Sequence, residues 1–310
     1  MEIIPSNIQS MFTAYSLLWA QGYTNAEVWA PKVATILPPM NAESITNGWM
    51  DKIPKFREWL GPRVVHNVSL RGRVMTAKTY ELTMAIDKER VEDDSYGLFA
   101  SSATDLGTQA AKKPDELLAA KLQENPTCFD GLSFFNDAHP EDIDAGVGAG
   151  SYDNNLALAL TPANFGIARA TMRAYKGADH QTLGVRPSLL VVPPSLEDMA
   201  MRIMTNDYLP TFLPGSTTAG NVAAEPNIYK GACDVLVIDE LENEPTRWYL
   251  LDNRKAIKPL VYWNRRPPSF TYLNKPDDAN VFFNRQFVFG GDLRGVADVS
   301  LPFLALRSTP

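Results

Sequence analysis

Three histidines and two cysteines are all that 310 residues offer toward transition-metal ligation or thiol chemistry. Cys128 and Cys233 stand far apart, with no C-x-x-C pair, which excludes a zinc ribbon and fits two free thiols in a reducing compartment. No apolar run approaches the ~18 residues that a membrane-spanning helix needs. The longest are Leu189-Leu190-Val191-Val192 and Val235-Leu236-Val237-Ile238. The start, Met1-Glu2-Ile3-Ile4-Pro5, lacks the basic residues of a secretory signal. Positive charge is also short: 29 Lys and Arg against 36 Asp and Glu leave a net charge of −7, which argues against a broad basic face for nucleic acid. A G-x-S-x-G elbow, an H-E-x-x-H helix and a complete phosphate loop are all missing.

What remains is ordinary folded composition, 45% hydrophobic and 21% charged, in a chain long enough for one large α/β unit or two lobes. Ile8, Met11, Phe12, Tyr15, Leu18 and Trp19 recur at helical spacing, with Gly22 placed to close the helix. Pro31, Pro38 and Pro39 then break the chain. This reads as an arm that lies on a surface, either a neighbour's or its own domain's. Residues 44–87 carry a β pattern, in which Tyr80, Leu82, Met84 and Ile86 alternate with Thr79, Glu81, Thr83 and Ala85 as a strand with one buried face. With the turn Arg71-Gly72-Arg73 and the aromatic block Trp49 to Trp59, they suggest a long two-stranded excursion. Two strands cannot bury enough apolar surface alone, so this ribbon needs cover.

Gly97 to Asn125 has a helical phase and would run ~43 Å. Pro114 inside it predicts a kink or break, with Pro114-Asp115-Glu116 as a possible new first turn. Cys128 to Asn155 reads as surface loop. Thr161-Pro162 caps a helix that Gly177 closes, and Ser195 to Asp198 begins another with Asp198 in the capping-box place. Strands are expected at Pro187–Pro193, Asp234–Ile238, Trp248–Leu251, Ile257–Tyr262, Gln286–Gly290 and Val296–Leu304, the last two split by glycine turns.

For chemistry, the richest cluster is His139 with Asp137, Glu141 and Asp142, the donor set of a metal-assisted hydrolase, though no zinc spacing matches. Asp142, Asp144 and Asp153 mimic a calcium loop that fails at Val147, where the turn needs glycine. His66 and His180 lack partners for a nucleophilic triad. The run Asp87 to Asp94 suits a solvated or interfacial face better than paired catalytic carboxylates. Arg254, Lys255, Lys258, Arg265 and Arg266, interleaved with Tyr262 and Trp263, read as a strand with outward charges rather than a nucleic-acid platform.

Pro54-Lys55-Phe56-Arg57-Glu58-Trp59-Leu60-Gly61 with Arg63, then Asp87 to Asp94, Pro114-Asp115-Glu116-Leu117, Asp130 to Phe135 with His139-Pro140, and Arg186 through Glu197 occur in a telling order. In that order they resemble the Mu-like phage major head subunit family over nearly the whole chain. The resemblance implies an α+β chain with the Hong Kong ninety-seven type capsid fold. Its parts would be an N-terminal arm (1–43), an extended hairpin loop (44–87), a peripheral domain with a spine helix (88–155), an axial α/β domain (156–265) and strands returning to the peripheral sheet (266–310).

The function so implied is structural, not enzymatic. Copies would form pentamers and hexamers of an icosahedral head around double-stranded DNA, with no cofactor, metal or membrane. Partners would be further copies, a separate scaffolding protein, a portal, a decoration protein and non-specifically packaged DNA at the inner face. Assembly would take place in the host cytoplasm and the product would be the virion. The expected packing anchors are Trp49, Phe56, Trp59 and Tyr80, with charged contacts from Arg57, Glu58 and Arg63. Lys78 lies in the hairpin region without an identifiable asparagine partner for cross-linking, so assembly is expected to be non-covalent.

Overall fold

The computed structural model describes residues 5–50, 70–93, 98–142, 150–177, 180–212 and 222–310. The chain opens with helix α1 (Pro5–Asn25), a single turn α2 (Ala30–Val33) and strand β1 (Ala34–Leu37). Strands β2 (Ser44–Met50), β3 (Leu70–Thr76) and β4 (Lys78–Asp87) follow, then short helix α3 (Lys88–Glu92) and long helix α4 (Leu98–Glu124). Brief strands β5 (His139–Pro140), β6 (Ser151–Tyr152) and β7 (Asn155–Leu156) precede helix α5 (Pro162–Ala174). Next come β8 (Leu189–Val192), α6 (Glu197–Thr205), β9 (Tyr208–Phe212), β10 (Val222–Pro226), β11 (Asp234–Val237) and β12 (Trp248–Leu251). Two long strands, β13 (Leu260–Leu273) and β14 (Gln286–Val299), are joined through helix α7 (Ala279–Asn284), and β15 (Ala305–Ser308) ends the chain.

Two sheets organise these elements. One has the order β1-β13-β14-β4, the other β11-β8-β12-β15-β7. The second is built from the short apolar runs of the sequence: β8 and β12 are buried along their whole length, as strands covered on both faces must be. Thr161 caps α5 as expected, accepting the N–H of Asn164 at 3.2 Å, and Phe165, Ala168 and Met172 form its buried stripe. A single apolar cluster joins the two sheets. Leu260, Tyr262, Ala297 and Val299 of one pack with Leu189, Val191, Tyr249 and Leu251 of the other, and Leu118 and Leu122 of α4 close over them.

Several local expectations are corrected. Gly22 does not end α1, because it is needed where the helix crosses α4: a Cβ there would sit 2.1 Å from the Thr104 carbonyl oxygen. Gly107 is the reciprocal position, 2.1 Å from the carbonyl of Trp19. The face of α1 lies on its own chain, with Ile8, Phe12, Tyr15 and Trp19 buried against Leu106, Phe287 and Phe289. Pro114 does not break α4, which runs on for 27 residues, ~40 Å.

The β pattern of 44–87 divides. Strands β2 and β3 pair from Ser44↔Thr76 to Met50↔Leu70, whereas β4 pairs with β14 in the four-stranded sheet. Of the expected buried face of β4 only Ile86 is buried, and Leu82 and Met84 are exposed. Leu196, not Ser195, precedes α6, since the Ser195 hydroxyl is taken by the Pro245 carbonyl at 2.5 Å.

The glycines of the last segment are not turns. They sit inside one continuous β14, where Gly290 lets the backbone pass Leu82 and Gly295 leaves room for the Tyr262 hydroxyl. Likewise β13 runs through Pro267-Pro268, absorbing them as register shifts between Asn264 and Ser269. Finally, β15, within the expected return segment, joins the five-stranded sheet beside β12.

Candidate assembly surfaces

Among the described residues the β2–β3 ladder pairs with neither of the two sheets and is anchored at its root. There Met75 and Ala77 are buried against Val261 and Trp263. Arg73 Nε reaches Asp298 Oδ2 at 2.9 Å, and Arg265 Nε donates to the Ala42 carbonyl at 2.7 Å. Burial lifts the Asp298 carboxyl above its ordinary value, while the Val299 N–H and Arg73 oppose that rise. Farther along, Val74 is 63% exposed. The backbone of Trp49 pairs with Arg71 near the end of the described ladder. Phe56, Arg57, Glu58, Trp59 and Arg63 lie outside the described residues.

Tyr80 belongs elsewhere than the hairpin. It sits on β4, with Lys113 Nζ 5.2 Å from its ring centroid, at a groove of about 450 Å³ between β4 and α4. Among the described residues β4 has a strand on one side only, so its other edge keeps unpaired backbone groups beside exposed Leu82 and Met84. The tip joining β13 to β14 carries Phe282 and Phe283, 72% and 77% exposed and edge-to-face with each other. Among the described residues nothing covers this adjacent pair of large apolar side chains.

The loop histidine is a packing element. His139 is fully buried, its Nδ1 2.5 Å from Asp130 Oδ2 and its Nε2 3.1 Å from the Phe134 carbonyl, with the ring stacked on Tyr152. Both nitrogens are therefore occupied by acceptors, and neither is offered to a metal. Asp137 instead accepts from Asn155 Nδ2 at 2.9 Å, and Glu141 faces His180 at 3.2 Å. The described parts of the segment expected as surface loop are pinned: Phe134, Phe135 and Asn154 are buried, and Asn154 Nδ2 donates to the Phe134 and Pro302 carbonyls. Sequence patterns missed Asn154 and Asp115 because each is polar and singly placed, with partners far away in the chain.

The basic stretch 254–266 is largely consumed in holding the fold. Lys258 Nζ donates to the Pro31 carbonyl, Arg266 pairs with Asp292, and Lys255 lies over the Phe303 ring.

The profile of the Mu-like prophage major head subunit gpT family matches residues 8–159, 157–241 and 226–310. The chain is 24% identical over 299 residues to the major capsid protein of Escherichia phage Mu, covering 96% of this chain and 72% of that one. It is 21% identical over 295 residues to the Mu-like prophage FluMu major head subunit of Haemophilus influenzae, covering 94% and 70%. Its fold is similar to that in the procapsid of bacteriophage JBD30, with a TM-score of 0.61 and 24% identity over 99% of this chain and 76% of that one. It is also similar to the virus-like particle from Pyrococcus furiosus, with a TM-score of 0.54 and 10% identity over 95% and 97%. With the family profile matched across nearly its whole length, the chain belongs to the Mu-like prophage major head subunit gpT family, structural major capsid proteins of phage heads and not enzymes.

Proposed function

We propose that this chain closes an icosahedral head as pentameric and hexameric rings, with the β2–β3 ribbon, the free edge of β4 and the Phe282–Phe283 tip as its contacts between copies. The carrying observation is the ribbon: among the described residues, two strands that are anchored at one end and pair with no third strand. Rings of this kind use unlike patches that close by rotation. Apolar burial at ~25 cal/mol per Å² then supplies several kcal/mol per contact before ordering costs.

In this reading the four-stranded sheet with α4 is the peripheral part, the five-stranded sheet with α5 and α6 the axial part, and the ribbon the extended loop. Trp49, Phe56 and Trp59 are its packing anchors, Arg57, Glu58 and Arg63 its charged contacts, and Tyr80 lines the groove that receives a neighbour. A separate scaffolding protein, a portal and packaged DNA held without sequence preference complete the particle. A decoration protein fits as well, since the JBD30 capsid is decorated with minor capsid protein trimers.

The test is replacement of residues 48–72 by a short glycine turn joining Asn47 to Arg73, which are register partners, so that the buried root at Arg73 and Met75 is kept. The shortened chain is expected to fold and to stay as small species by sedimentation, while the parent forms shells by negative-stain microscopy. Shells of ordinary size from the shortened chain would refute the reading.

A further inference from the structure

Among the described residues, four arginines and no carboxylate line one depression on the five-stranded half of the molecule. Arg169 and Arg173, one turn apart on α5, and Arg186 and Arg254, on the segments entering β8 and leaving β12, line a depression of about 250 Å³ with Pro187. Among the described residues, none of the four guanidinium groups has an ion-pair partner. Arg169 Nε is buried with no hydrogen-bond partner at all.

The carboxylate nearest in sequence is already committed. Asp252, 2% exposed, accepts the backbone N–H of Arg186 at 2.9 Å on Oδ2 and that of Arg254 at 3.2 Å on Oδ1. It ties the two loops together by their main chains and so fixes where both side chains begin. Cys233 lies near two of them: burial pushes its thiol up to about 11, the charges of Arg169 and Arg254 oppose the rise, and that of Asp234 adds to it. That thiol donates to the Pro187 carbonyl at the floor of the depression.

Arg173, Arg186 and Arg254 are exposed around the buried, unpartnered Nε of Arg169, a local concentration of positive charge in a chain whose net charge is −7. A planar guanidinium fork matches phosphate oxygens two at a time, and phosphate carries more charge and more acceptors than a carboxylate. The depression holds the volume of about eight waters, more than one carboxylate fills. We infer that Arg169, Arg173, Arg186 and Arg254 form a binding site for a phosphate-bearing polyanion. The phosphates come either from a free polyphosphate or from a nucleic-acid backbone, which present the same chemistry.

Unassembled full-length chain titrated with inorganic pyrophosphate by calorimetry, at about physiological ionic strength, tests this. One saturable site per chain is expected, weakened about tenfold or more in the double variant Arg169→Gln/Arg254→Gln and unchanged in Arg202→Gln, whose side chain pairs with Asp198 on α6. Should the first variant fail to fold, Arg173→Gln/Arg186→Gln, at exposed positions, takes its place. A short DNA duplex that displaces pyrophosphate identifies the nucleic-acid source, and one that does not identifies the free polyphosphate; either supports the site. No saturable heat, or equal affinity in the folded variant, overturns it. So does a variant that abolishes particle formation although the parent binds no pyrophosphate, which would assign the arginines to a neighbouring copy's carboxylates.

Discussion

The carboxylate of Asp115, in the middle of α4, accepts the backbone N–H of Ala30 at 2.7 Å and that of Trp29 at 3.0 Å, so the turn α2 is held by a side chain 85 residues away. No local residue caps that turn. Asp115→Ala leaves two amides without an acceptor where water is scarce, a loss on the order of 1–3 kcal/mol. Denaturant unfolding measures it, and a change below a few tenths would show that water replaces the carboxylate freely.

Burial raises the Asp115 carboxyl above its ordinary value despite those two amides, and raises Asp298 despite the Val299 N–H and Arg73. A carboxyl with a folded pKa above its unfolded one binds its proton more tightly when folded. Its ionised form therefore costs stability above the folded pKa, and the cost fades as pH falls through that value toward 3.8. The stability difference between wild type and Asp298→Asn is expected to move in favour of wild type between neutral pH and about pH 4. Urea midpoints at the two pH values decide; a shift the other way contradicts the sign.

Helix propensity alone says that Gly107→Ala should stabilise α4 by about 1 kcal/mol. The crossing with α1 says the reverse, because the new methyl would meet the Trp19 carbonyl at 2.1 Å and backbone cannot rotate aside. A net loss on the order of 1–3 kcal/mol is expected, read as a lowered thermal midpoint. A raised midpoint would mean that the two helices separate easily.

His139→Ala removes the partner of a fully buried carboxylate, since the Asp130 side chain is only 2% exposed. The expected cost is on the order of 1–3 kcal/mol for the hydrogen bond left unmade, with no change in metal content by mass spectrometry under native conditions. A variant as stable as wild type that has lost a bound divalent ion would revive the hydrolase alternative.

Lys78 opens β4 and lies in the four-stranded sheet, not in the ribbon. Assembled particles boiled in detergent are expected to run at the mass of one chain. Bands at its multiples would show covalent joining.

Legibility in the sequence followed the range of the interactions. Helix α5 and strands β8 and β12 were readable because their signals are local: a Thr-Pro cap, a stripe at helical spacing, four apolar residues in a row. The helical phases of α1 and α4 were readable for the same reason. Pro114, Gly22 and Gly290-Gly291 were misread because each carries a local signal of interruption that tertiary contact overrides. The strand β4 has a proper alternation, yet which ladder it joins depends on β14, 200 residues later. The surfaces themselves were the least readable: Phe282 and Phe283 look like core residues until the fold leaves them outside.

Besides its own apolar cluster each sheet shares a third with the other, for Tyr262 and Val299 sit in the same apolar mass as Leu189 and Leu251. Bending one sheet against the other would tear that mass open and let water in. If ribbon, edge and tip are the contacts between copies, any change in the diameter of a head built from this subunit is expected to fall on them, and not on the joint between the two sheets.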